Sequence, residues 1–314
     1  MKIKSRVYRY ALRHESLSRL MKFLGEKIFF RDVFNILLYP FFYCNYKCPY
    51  CIIRKSNFKF KEHSALEWAN AFNKLKRSVI SISGGEPFLW KNNGMKVFLE
   101  NIDKKHAIYL VTNLYWKIED HLSYLKEANE RLSLFIAPSF HPHMTDVNIF
   151  LKKMKILRDN GFFISSSLVA YPTFFPKLKY YKKKFNDAGI SLGIYSYIHP
   201  EFRYSDKQRK LLEQVTKKHV RGSITDFDSN PKKKICRAGK TNFLFVPSGD
   251  CYICHSGFYC VNSEIYKKYK AKKSEFFIGN IFDGTFKPKK GMTICDKPCS
   301  EICDIVCAKP KVIG

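Results

Sequence analysis

The sequence predicts an α/β protein, in which a partial (β/α)6 barrel of TIM-like design is followed by a small cysteine-rich C-terminal domain. Between residues 33 and 202, short apolar segments alternate with amphipathic helical segments, which is typical of a parallel sheet. Six such repeats in about 170 residues indicate an incomplete barrel rather than a closed one of eight strands. Eight of the eleven cysteines follow residue 235, which sets the last part of the chain apart.

Four regions follow from this pattern. The 314 residues suit one larger domain with an appendage, and 46% hydrophobic residues suffice for a sizeable core. We expect a basic N-terminal helical extension (1–32), a partial barrel (33–202), a helical linker (203–235) and a cysteine-rich domain (236–314).

The six expected strands are bounded by turn-forming residues and helical patterns. They cover residues 34–42, 79–83, 106–112, 132–138, 162–170 and 190–198. The helices between them cover residues 65–76, 95–102, 118–128, 146–159 and 178–187, and the linker holds another at 207–218. Ser64 is the expected N-cap of the first of these helices, and Gly161 and Gly189 are placed to end two others.

The formal net charge of +29 indicates an anionic neighbour, although a lysine-rich solvated surface would explain it equally well. Residues 1–31 hold nine Lys or Arg and two acidic residues, with apolar residues at helical spacing. This segment therefore reads as an amphipathic helix that either packs on the barrel or contacts an anionic membrane surface.

No secretory signal and no apolar run of 18 residues are found in the sequence, so we expect a cytoplasmic protein. Clustered thiols in a reducing compartment favour metal binding over disulfides.

Three cysteines, Cys44, Cys48 and Cys51, form the pattern CxxxCxxC where the first strand becomes a loop. Thiolates at these spacings can each bind a different iron of one [4Fe–4S] cluster, and three of them leave the fourth iron open for another ligand. A structural zinc ion is the alternative, but it requires a fourth ligand, and His63 is twelve residues beyond Cys51.

Over roughly residues 33–200 the chain resembles the radical S-adenosylmethionine (SAM) superfamily, in which an aromatic residue precedes the last cysteine of this motif. Tyr50 occupies that position. The resemblance implies that Cys44, Cys48 and Cys51 hold a [4Fe–4S] cluster whose open iron binds SAM, and that Tyr50 contacts the adenine.

A second motif of that family follows the second strand and holds the SAM amino group. Here it reads Gly84-Gly85-Glu86-Pro87. Two glycines allow close backbone approach, and a carboxylate or carbonyl can accept a hydrogen bond from an ammonium group. The resemblance also implies that polar groups at the next strand ends contact SAM, and these are Asn113 and Ser139. His141 and His143 follow Ser139 and are candidate substrate contacts.

The C-terminal cysteines resemble the SPASM/twitch extension, which carries auxiliary [4Fe–4S] clusters. Cys236, Gly249 and Cys254 form the pattern C-x12-G-x4-C. The resemblance makes Cys236 and Cys254 ligands of one auxiliary cluster, completed from the last four cysteines. Those four depart from the full SPASM spacing, so a second cluster is the rival interpretation and a zinc-bound module is a third. They are Cys295, Cys299, Cys303 and Cys307.

Two cysteines, Cys251 and Cys260, lie outside the expected ligand positions. Each is a candidate hydrogen donor or spare ligand, and small buried residues of the core explain them equally well.

The resemblance implies an enzyme that cleaves SAM reductively to a 5′-deoxyadenosyl radical, which abstracts hydrogen from a substrate. Flavodoxin or ferredoxin is the expected electron donor. A sugar, lipid-linked or other small polar substrate is preferred, because residues 1–31 are too short for a leader-peptide recognition domain. The alternatives are a peptide- or protein-modifying SPASM maturase, an RNA-modifying radical SAM enzyme and a non-enzymatic zinc protein, and nucleic acid is the least favoured partner.

Overall fold

The computed structural model describes residues 33–56, 58–197, 199, 201–216, 234–269, 271–295 and 311–312. The predicted N-terminal helical extension, residues 217–233 of the predicted linker and three of the predicted ligands lie outside these residues. The three ligands are Cys299, Cys303 and Cys307.

The strands of the barrel region are β1 (Phe34–Leu38), β2 (Ser78–Ile82), β3 (Ala107–Thr112), β4 (Ser133–Pro138), β5 (Phe163–Ile164), β6 (Ser166–Ala170) and β7 (Leu192–Ser196). Those of the C-terminal region are β8 (Lys234–Cys236), β9 (Asn242–Phe245), β10 (Asp250–Tyr252), β11 (Phe277–Asn280), β12 (Thr293–Cys295) and β13 (Lys311–Val312).

The α-helices are α1 (Ile52–Ser56), α2 (Ala65–Asn73), α3 (Gly94–Asn101), α4 (Leu122–Arg131), α5 (Val147–Asp159), α6 (Leu178–Asp187), α7 (Asp206–Thr216), α8 (His255–Asn262) and α9 (Lys273–Phe276). Short 3-10 helices cover Pro87–Leu89, Pro172–Lys177 and Glu264–Tyr269. Ser64 caps α2 through a reciprocal capping box with Glu67, which confirms the predicted N-cap. No helix in the described ranges is long and apolar enough to cross a bilayer.

Strands β1 to β5 run parallel in chain order, and this confirms the predicted class of a parallel α/β sheet. Alternate residues on neighbouring strands face each other in register and are almost completely buried. One such layer consists of Ile36, Ile80, Ile108 and Leu134, and the next of Leu38, Ile82, Leu110 and Ile136. These layers form the apolar core that holds the strand ends at a common edge.

The predicted fifth strand is divided in two, which the sequence analysis did not anticipate. Pro138 ends β4, has no N–H to donate on the side of the fifth strand, and so interrupts the ladder. The Ser166 hydroxyl donates to the Pro138 carbonyl at 2.9 Å, and a bridge between Ser139 and Ser167 restores the pairing beyond it. The second half, β6, then pairs with β7 in a separate two-stranded parallel sheet.

The C-terminal region joins the barrel sheet directly. Strand β9 lies parallel to β1, with Asn35 opposite Asn242 and Leu38 opposite Phe245, and β10 and β11 continue from it in antiparallel fashion. The main sheet therefore has eight strands in the order β11-β10-β9-β1-β2-β3-β4-β5. The expected domain boundary at residue 236 stays a prediction.

Candidate active site

The three-cysteine loop begins six residues after β1 and leads into α1. The Cys51 amide donates to the Cys48 carbonyl at 3.1 Å, and the Lys55 amide donates to the Cys51 carbonyl at 3.3 Å. Cys48 is buried, Cys44 and Cys51 are half-buried, and all three are free thiols. The loop thus turns back on itself and presents three thiols from one short segment.

Burial is the main influence on the pKa of Cys44 and of Cys48. It raises the pKa of Cys48 to about 11, helped by the neighbouring Cys51 and Cys44, and it raises the pKa of Cys44 as well. Cys44 and Cys48 are therefore protonated near neutral pH unless a metal binds, and metal binding to them has to release protons. Within the described ranges, no three His, Cys, Asp or Glu side chains converge on a position for a single metal ion.

The two glycines of Gly84-Gly85-Glu86-Pro87 let this segment lie against the chain just before Cys44. Gly84 has a φ of +105°, and a Cβ on Gly85 would stand 1.8 Å from the Tyr43 carbonyl oxygen. The Gly85 amide donates to the Phe41 carbonyl at 3.1 Å, and the Glu86 amide donates to the Tyr43 carbonyl at 2.9 Å. The close approach that the structure shows is to the chain just before the cysteine loop, and the expected approach of these glycines to SAM stays a prediction.

The Glu86 carboxylate is buried and connects the ends of β2 and β3. It accepts hydrogen bonds from the Thr112 hydroxyl at 2.6 Å, the Asn113 amide at 2.6 Å and the Phe88 amide at 3.3 Å. Burial raises the pKa of Glu86 to about 7, although these three donors oppose the shift. Its observed partners are groups of the protein, and its predicted contact with SAM stays a prediction.

Asn113 links the end of β3 to the cysteine loop. Its side-chain amide donates to Asn45 Oδ1 at 2.9 Å and lies 3.7 Å from Cys44 Sγ, and its Oδ1 accepts from the Tyr115 amide at 2.9 Å. The motif after β2, the end of β3 and the loop after β1 are therefore parts of one hydrogen-bonded assembly.

Lys153 on α5 holds the loop that follows Asn113. Its ammonium group donates to the carbonyls of Leu114, Tyr115 and Trp116 at 3.0, 2.9 and 2.8 Å. Leu114 has a φ of +58°, which is costly for a branched side chain, so the clamp retains a strained turn. A lysine in a helix resembles any solvated lysine, and the sequence analysis therefore missed it.

We expect the Lys153→Met variant to lose about 1–2 kcal/mol of stability, because three carbonyls lose a charged donor. The turn at Leu114 should relax and displace Asn113, so the affinity for SAM should fall several-fold. Urea unfolding and isothermal titration with SAM measure the two effects. Lys152→Met on the exposed face of the same helix is the control, and equal behaviour of the two variants would rule out the clamp.

The raised pKa of Glu86 predicts a pH dependence. A carboxyl group with a folded pKa of about 7 and an ordinary value of 4.5 favours folding when protonated, and this contribution is lost as the pH rises through 7. Relative to the Glu86→Gln variant, the wild type should lose about 3 kcal/mol of its free energy of unfolding as the pH rises from the ordinary to the folded pKa. Urea midpoints of both metal-free proteins measure it, because buried histidines affect both equally. Parallel pH curves would contradict the prediction.

Tyr50, within the cysteine loop, forms a pair with His141. The Tyr50 hydroxyl lies 2.7 Å from His141 Nδ1, the rings stack at 6.0 Å, and Cys48 Sγ lies 3.4 Å from the same nitrogen. Burial lowers the pKa of His141 to about 4, so the ring is neutral. Tyr50 also packs on Tyr171 and Phe174, and its predicted adenine contact stays a prediction.

The other two polar residues predicted after β4, Ser139 and His143, have hydrogen-bond partners other than the thiols. The Ser139 hydroxyl is 2.9 Å from that of Ser167, and the Ser139 amide donates to the Thr112 carbonyl at 2.7 Å. His143 is exposed and its Nε2 lies 3.1 Å from the Thr173 hydroxyl. Both residues nonetheless stand on the same edge of the barrel as the cysteine loop.

Helix α8 of the C-terminal region packs against α1 and the segment that follows it, next to the cysteine loop, which the sequence did not indicate. The Ser263 hydroxyl after α8 lies 2.7 Å from that of Ser56 in α1, and the Phe258 ring is 4.9 Å from Phe58. Tyr259 is buried there, and its pKa is raised by burial and by the neighbouring Tyr39 and Cys51. The barrel region and the C-terminal region therefore meet next to the cysteine loop.

The described C-terminal cysteines occupy different elements. Cys236 in β8 and Cys295 in β12 lie on the same face of an antiparallel pair as diagonal neighbours, because Cys236 faces Thr293 and Lys234 faces Cys295. Cys254 precedes α8, where its sulfur accepts from the Gly257 amide at 3.2 Å. The structure thus brings Cys236 and Cys295 together, as one cluster would require.

Cys251 and Cys260, the candidate hydrogen donors, are both buried. Cys251 lies on β10 opposite Phe245, and burial raises its pKa well above the ordinary value. Cys260 is on the buried side of α8. These positions suit core residues, and a role as hydrogen donor stays a prediction.

A partial parallel barrel with three thiols after its first strand and Gly-Gly-Glu-Pro after its second defines a class of cofactor-dependent enzymes. Residues 38–177 match the family model of the radical SAM superfamily. By this match, residues 38–177 form a radical SAM domain, the domain of an enzyme whose cofactors are a [4Fe–4S] cluster and SAM and which requires a reductant.

Solved structures show the same fold. Streptococcus suis SuiB bound to its precursor peptide SuiA has a TM-score of 0.55 and 14% identity, covering 86% of this chain and 70% of that chain. The protein anSMEcpe with bound AdoMet has a TM-score of 0.52 and 17% identity, covering 80% of this chain and 79% of that chain. A third structure, anSMEcpe with AdoMet and the Cp18Cys peptide, has a TM-score of 0.51 and 16% identity, covering 80% and 78%. No curated protein matches the sequence.

Proposed function

We propose that this radical SAM enzyme oxidatively modifies a peptide or protein side chain. The observation that carries the proposal is the similarity of fold, over 80–86% of the chain, to proteins whose structures hold peptides. This favours the peptide-modifying alternative over the sugar, lipid-linked or small polar substrate that the sequence suggested. A short N-terminal segment does not weigh against it, since a leader-recognition domain can be a separate protein.

The edge of the barrel that carries the thiols offers a surface suited to a peptide. Tyr43 after β1, Tyr115 after β3 and Met144 after β4 are 66%, 58% and 36% exposed. Apolar side chains on three neighbouring loops at one edge can pack against the side chains of an extended polymer. These exposed residues support a substrate that is larger than the barrel mouth.

The residues present fit the cofactors of the class. Three free thiols stand on one loop, and the Gly84-Gly85 segment lies so close to that loop that an added Cβ would fill the space. When bound, the cluster and SAM supply reductive cleavage of a C–S bond and hydrogen abstraction from unreactive C–H bonds.

The protein residues have separate tasks in this proposal. Cys44, Cys48 and Cys51 bind iron. Glu86 and Asn113 hold the three strand-end segments in register, and Lys153 holds the turn behind them. Tyr50, with Tyr171 and Phe174 against it, covers the loop and excludes water from it.

Among the C-terminal cysteines, we assign Cys236, Cys254 and Cys295 to an auxiliary [4Fe–4S] cluster. The shared face of Cys236 and Cys295 and the half-buried position of Cys254 beside the core support this assignment. Cys299, Cys303 and Cys307 stay candidate ligands, and so does a second cluster. Iron and sulfide analysis of a Cys236→Ala variant tests the auxiliary site separately from the first cluster.

The class of substrate is tested with an extract of cells that produce the enzyme, grown in deuterated medium. The extract is combined with anaerobically reconstituted full-length enzyme, SAM and dithionite. Deuterium in 5′-deoxyadenosine reports hydrogen abstraction from the substrate. We expect protease treatment of the extract to abolish the label, while glycosidase and ribonuclease leave it unchanged. If the label survived protease treatment but was lost after glycosidase treatment, the substrate would be a sugar. If ribonuclease treatment abolished the label, the substrate would be RNA.

The control for this experiment is the variant with Cys44→Ala, Cys48→Ala and Cys51→Ala. It should form no 5′-deoxyadenosine with any extract. Product formed by this variant would contradict the assignment of the three thiols.

A further inference from the structure

His141 follows β4, and its backbone is held on both sides. Before it, the Phe140 amide donates to the Ser167 carbonyl at 2.7 Å, and the Phe140 ring is buried in the core. After it, the amides of Met144 and Thr145 donate to the His141 carbonyl at 2.8 and 3.2 Å. A backbone held in this way limits the directions that the imidazole ring can take, so the ring is placed before any ligand binds.

The imidazole ring of His141 faces the cysteine loop. Its Nδ1 lies 2.7 Å from the Tyr50 hydroxyl and 3.4 Å from Cys48 Sγ. The Tyr50 hydroxyl is in turn a hydrogen-bond partner of Cys48. Two polar side chains, one of them 93 residues away in the sequence, therefore meet at a single sulfur.

Aromatic rings surround this group of polar atoms. The rings of His141 and Tyr50 stack at an interplanar angle of 13°, and the Tyr46 ring stands edge-on to His141 at 5.7 Å. Tyr171 packs on the Tyr50 ring at 5.3 Å. Hydrogen bonds in such surroundings are electrostatically stronger than hydrogen bonds in water. A donor placed here therefore has a larger effect on the sulfur than a donor at the surface.

The protonation states of the three groups decide which of them donates. A thiolate that binds iron has no proton and can only accept hydrogen bonds. If the neutral imidazole carries its hydrogen on Nδ1, the ring donates either to the sulfur or to the Tyr50 oxygen, whose own O–H is then free for the sulfur. If the hydrogen is on Nε2 instead, the Nδ1 lone pair faces the negative sulfur. Binding of iron by Cys48 therefore favours the form of His141 with Nδ1–H.

We propose that His141, together with the Tyr50 hydroxyl, positions a hydrogen-bond donor on the Cys48 sulfur and thereby raises the reduction potential of the first cluster. Hydrogen bonds to the sulfurs are among the factors that set the potential of an iron–sulfur cluster. Reduction adds one electron from the reductant, breaks no bond and transfers no proton. The sulfur ligands become more negative, so the reduced form gains more from the donor than the oxidised form does.

This inference rests on Cys48 as a ligand of the first cluster, and it does not depend on the class of substrate. The donor on Cys48 differs from the donor on Cys44, whose sulfur accepts from the Tyr46 amide of the same loop at 3.4 Å. The backbone donor is present in every variant, whereas the donor on Cys48 is removed by a substitution of His141.

The test compares the His141→Phe variant with the wild type, both as anaerobically reconstituted full-length protein. Phenylalanine keeps an aromatic ring against Tyr50 and removes both nitrogens. The His141→Asn variant restores a donor, because the side-chain amide of asparagine can occupy the position of Nδ1. His143→Phe is the matched control, since His143 is exposed and its Nε2 faces the Thr173 hydroxyl and not a thiol.

The reduction potential is measured by titration with dithionite in the presence of redox dyes, followed by electron paramagnetic resonance. The signal that is absent from the variant with Cys44→Ala, Cys48→Ala and Cys51→Ala belongs to the first cluster, which separates it from an auxiliary cluster. We expect His141→Phe to shift the equilibrium of one-electron reduction about ten-fold towards the oxidised form, which lowers the potential by about 59 mV.

The other variants have their own expected results. The Tyr50→Phe variant, which lacks only the hydroxyl, should shift the potential in the same direction as His141→Phe. The His141→Asn variant should recover about half of the shift or more, and His143→Phe should have the potential of the wild type. Recovery by asparagine distinguishes a donor to the sulfur from a packing effect, because asparagine fills the space of the ring less well than phenylalanine does.

Three outcomes would overturn the proposal. The first is an unchanged potential in His141→Phe, and the second is an equal shift in His143→Phe. The third is loss of the first cluster from both His141→Phe and Tyr50→Phe, because the pair would then retain iron instead of setting its potential. If only one of these two variants loses the cluster, the sign of the shift in the other decides. The Cys48→Ala variant tests the ligand and the protease experiment tests the substrate, so their failures are distinguishable from failure of this proposal.

Discussion

Replacement of Cys48 by alanine is expected to abolish the first cluster and to lower the rate of SAM cleavage by more than about two orders of magnitude. Loss of groups that only support metal ligands costs ten- to hundred-fold, and Cys48 is proposed to be a ligand itself. It is also the buried thiol of the loop, so no water or surface residue can take its place. Iron and sulfide content, electron paramagnetic resonance of the reduced protein and 5′-deoxyadenosine formation measure the result.

Cys260→Ala is the matched control for this variant. Cys260 is also a buried cysteine, but it lies on α8 and away from the CxxxCxxC loop in the sequence. Both variants should lose similar packing, whereas Cys260→Ala should keep the first cluster and the cleavage of SAM. Retention of the signal of the first cluster in Cys48→Ala would exclude Cys48 as a ligand.

Replacement of Gly85 by alanine is expected to destabilise the protein by about 3 kcal/mol or more, because overpacking against backbone cannot be relieved by rotating a side chain. The added Cβ would lie 1.8 Å from the Tyr43 oxygen and 2.6 Å from the Tyr43 carbonyl carbon. The segment must therefore separate from the chain just before Cys44, and the cluster loop is displaced with it. Urea unfolding of the metal-free protein and its capacity to bind iron measure both effects.

Gly291→Ala provides the comparison for Gly85→Ala. A Cβ on Gly291 meets nothing within 4 Å, so this change should alter stability by less than about 0.5 kcal/mol. If Gly85→Ala were equally mild, the close contact between the glycine segment and the cysteine loop would not exist in solution.

Several features of the site were readable in the sequence because they are local. The spacing of Cys44, Cys48 and Cys51 and the run Gly84-Gly85-Glu86-Pro87 each lie within a few residues, and each follows a strand whose apolar pattern is clear. The capping box at Ser64 is local in the same way. The interruption of the fifth strand also had a local cause, since Pro138 was visible at the end of β4 and its missing N–H could have indicated a break.

The contacts that the sequence did not reveal connect distant parts of the chain. Lys153 reaches carbonyls 37 to 39 residues away, and the hydroxyls of Ser56 and Ser263 meet across 207 residues. Strand β9 pairs with β1 over the same separation, from Asn35 to Asn242. The periodicity of a sequence does not predict such long-range contacts. A lysine on a helix or a short apolar strand could form equally good contacts with many parts of the chain.

The sequence by itself determined the class of enzyme, the alternation of strands and helices, and the two motifs that carry the cofactor chemistry. Only the tertiary structure decided that Glu86 is enclosed by the end of β3, that α8 packs next to α1, and that lysines of α6 and α7 line an apolar groove. The physical reason is that chemistry is specified by residue type at short spacing. The environment of each group depends instead on which surfaces the whole chain buries against one another.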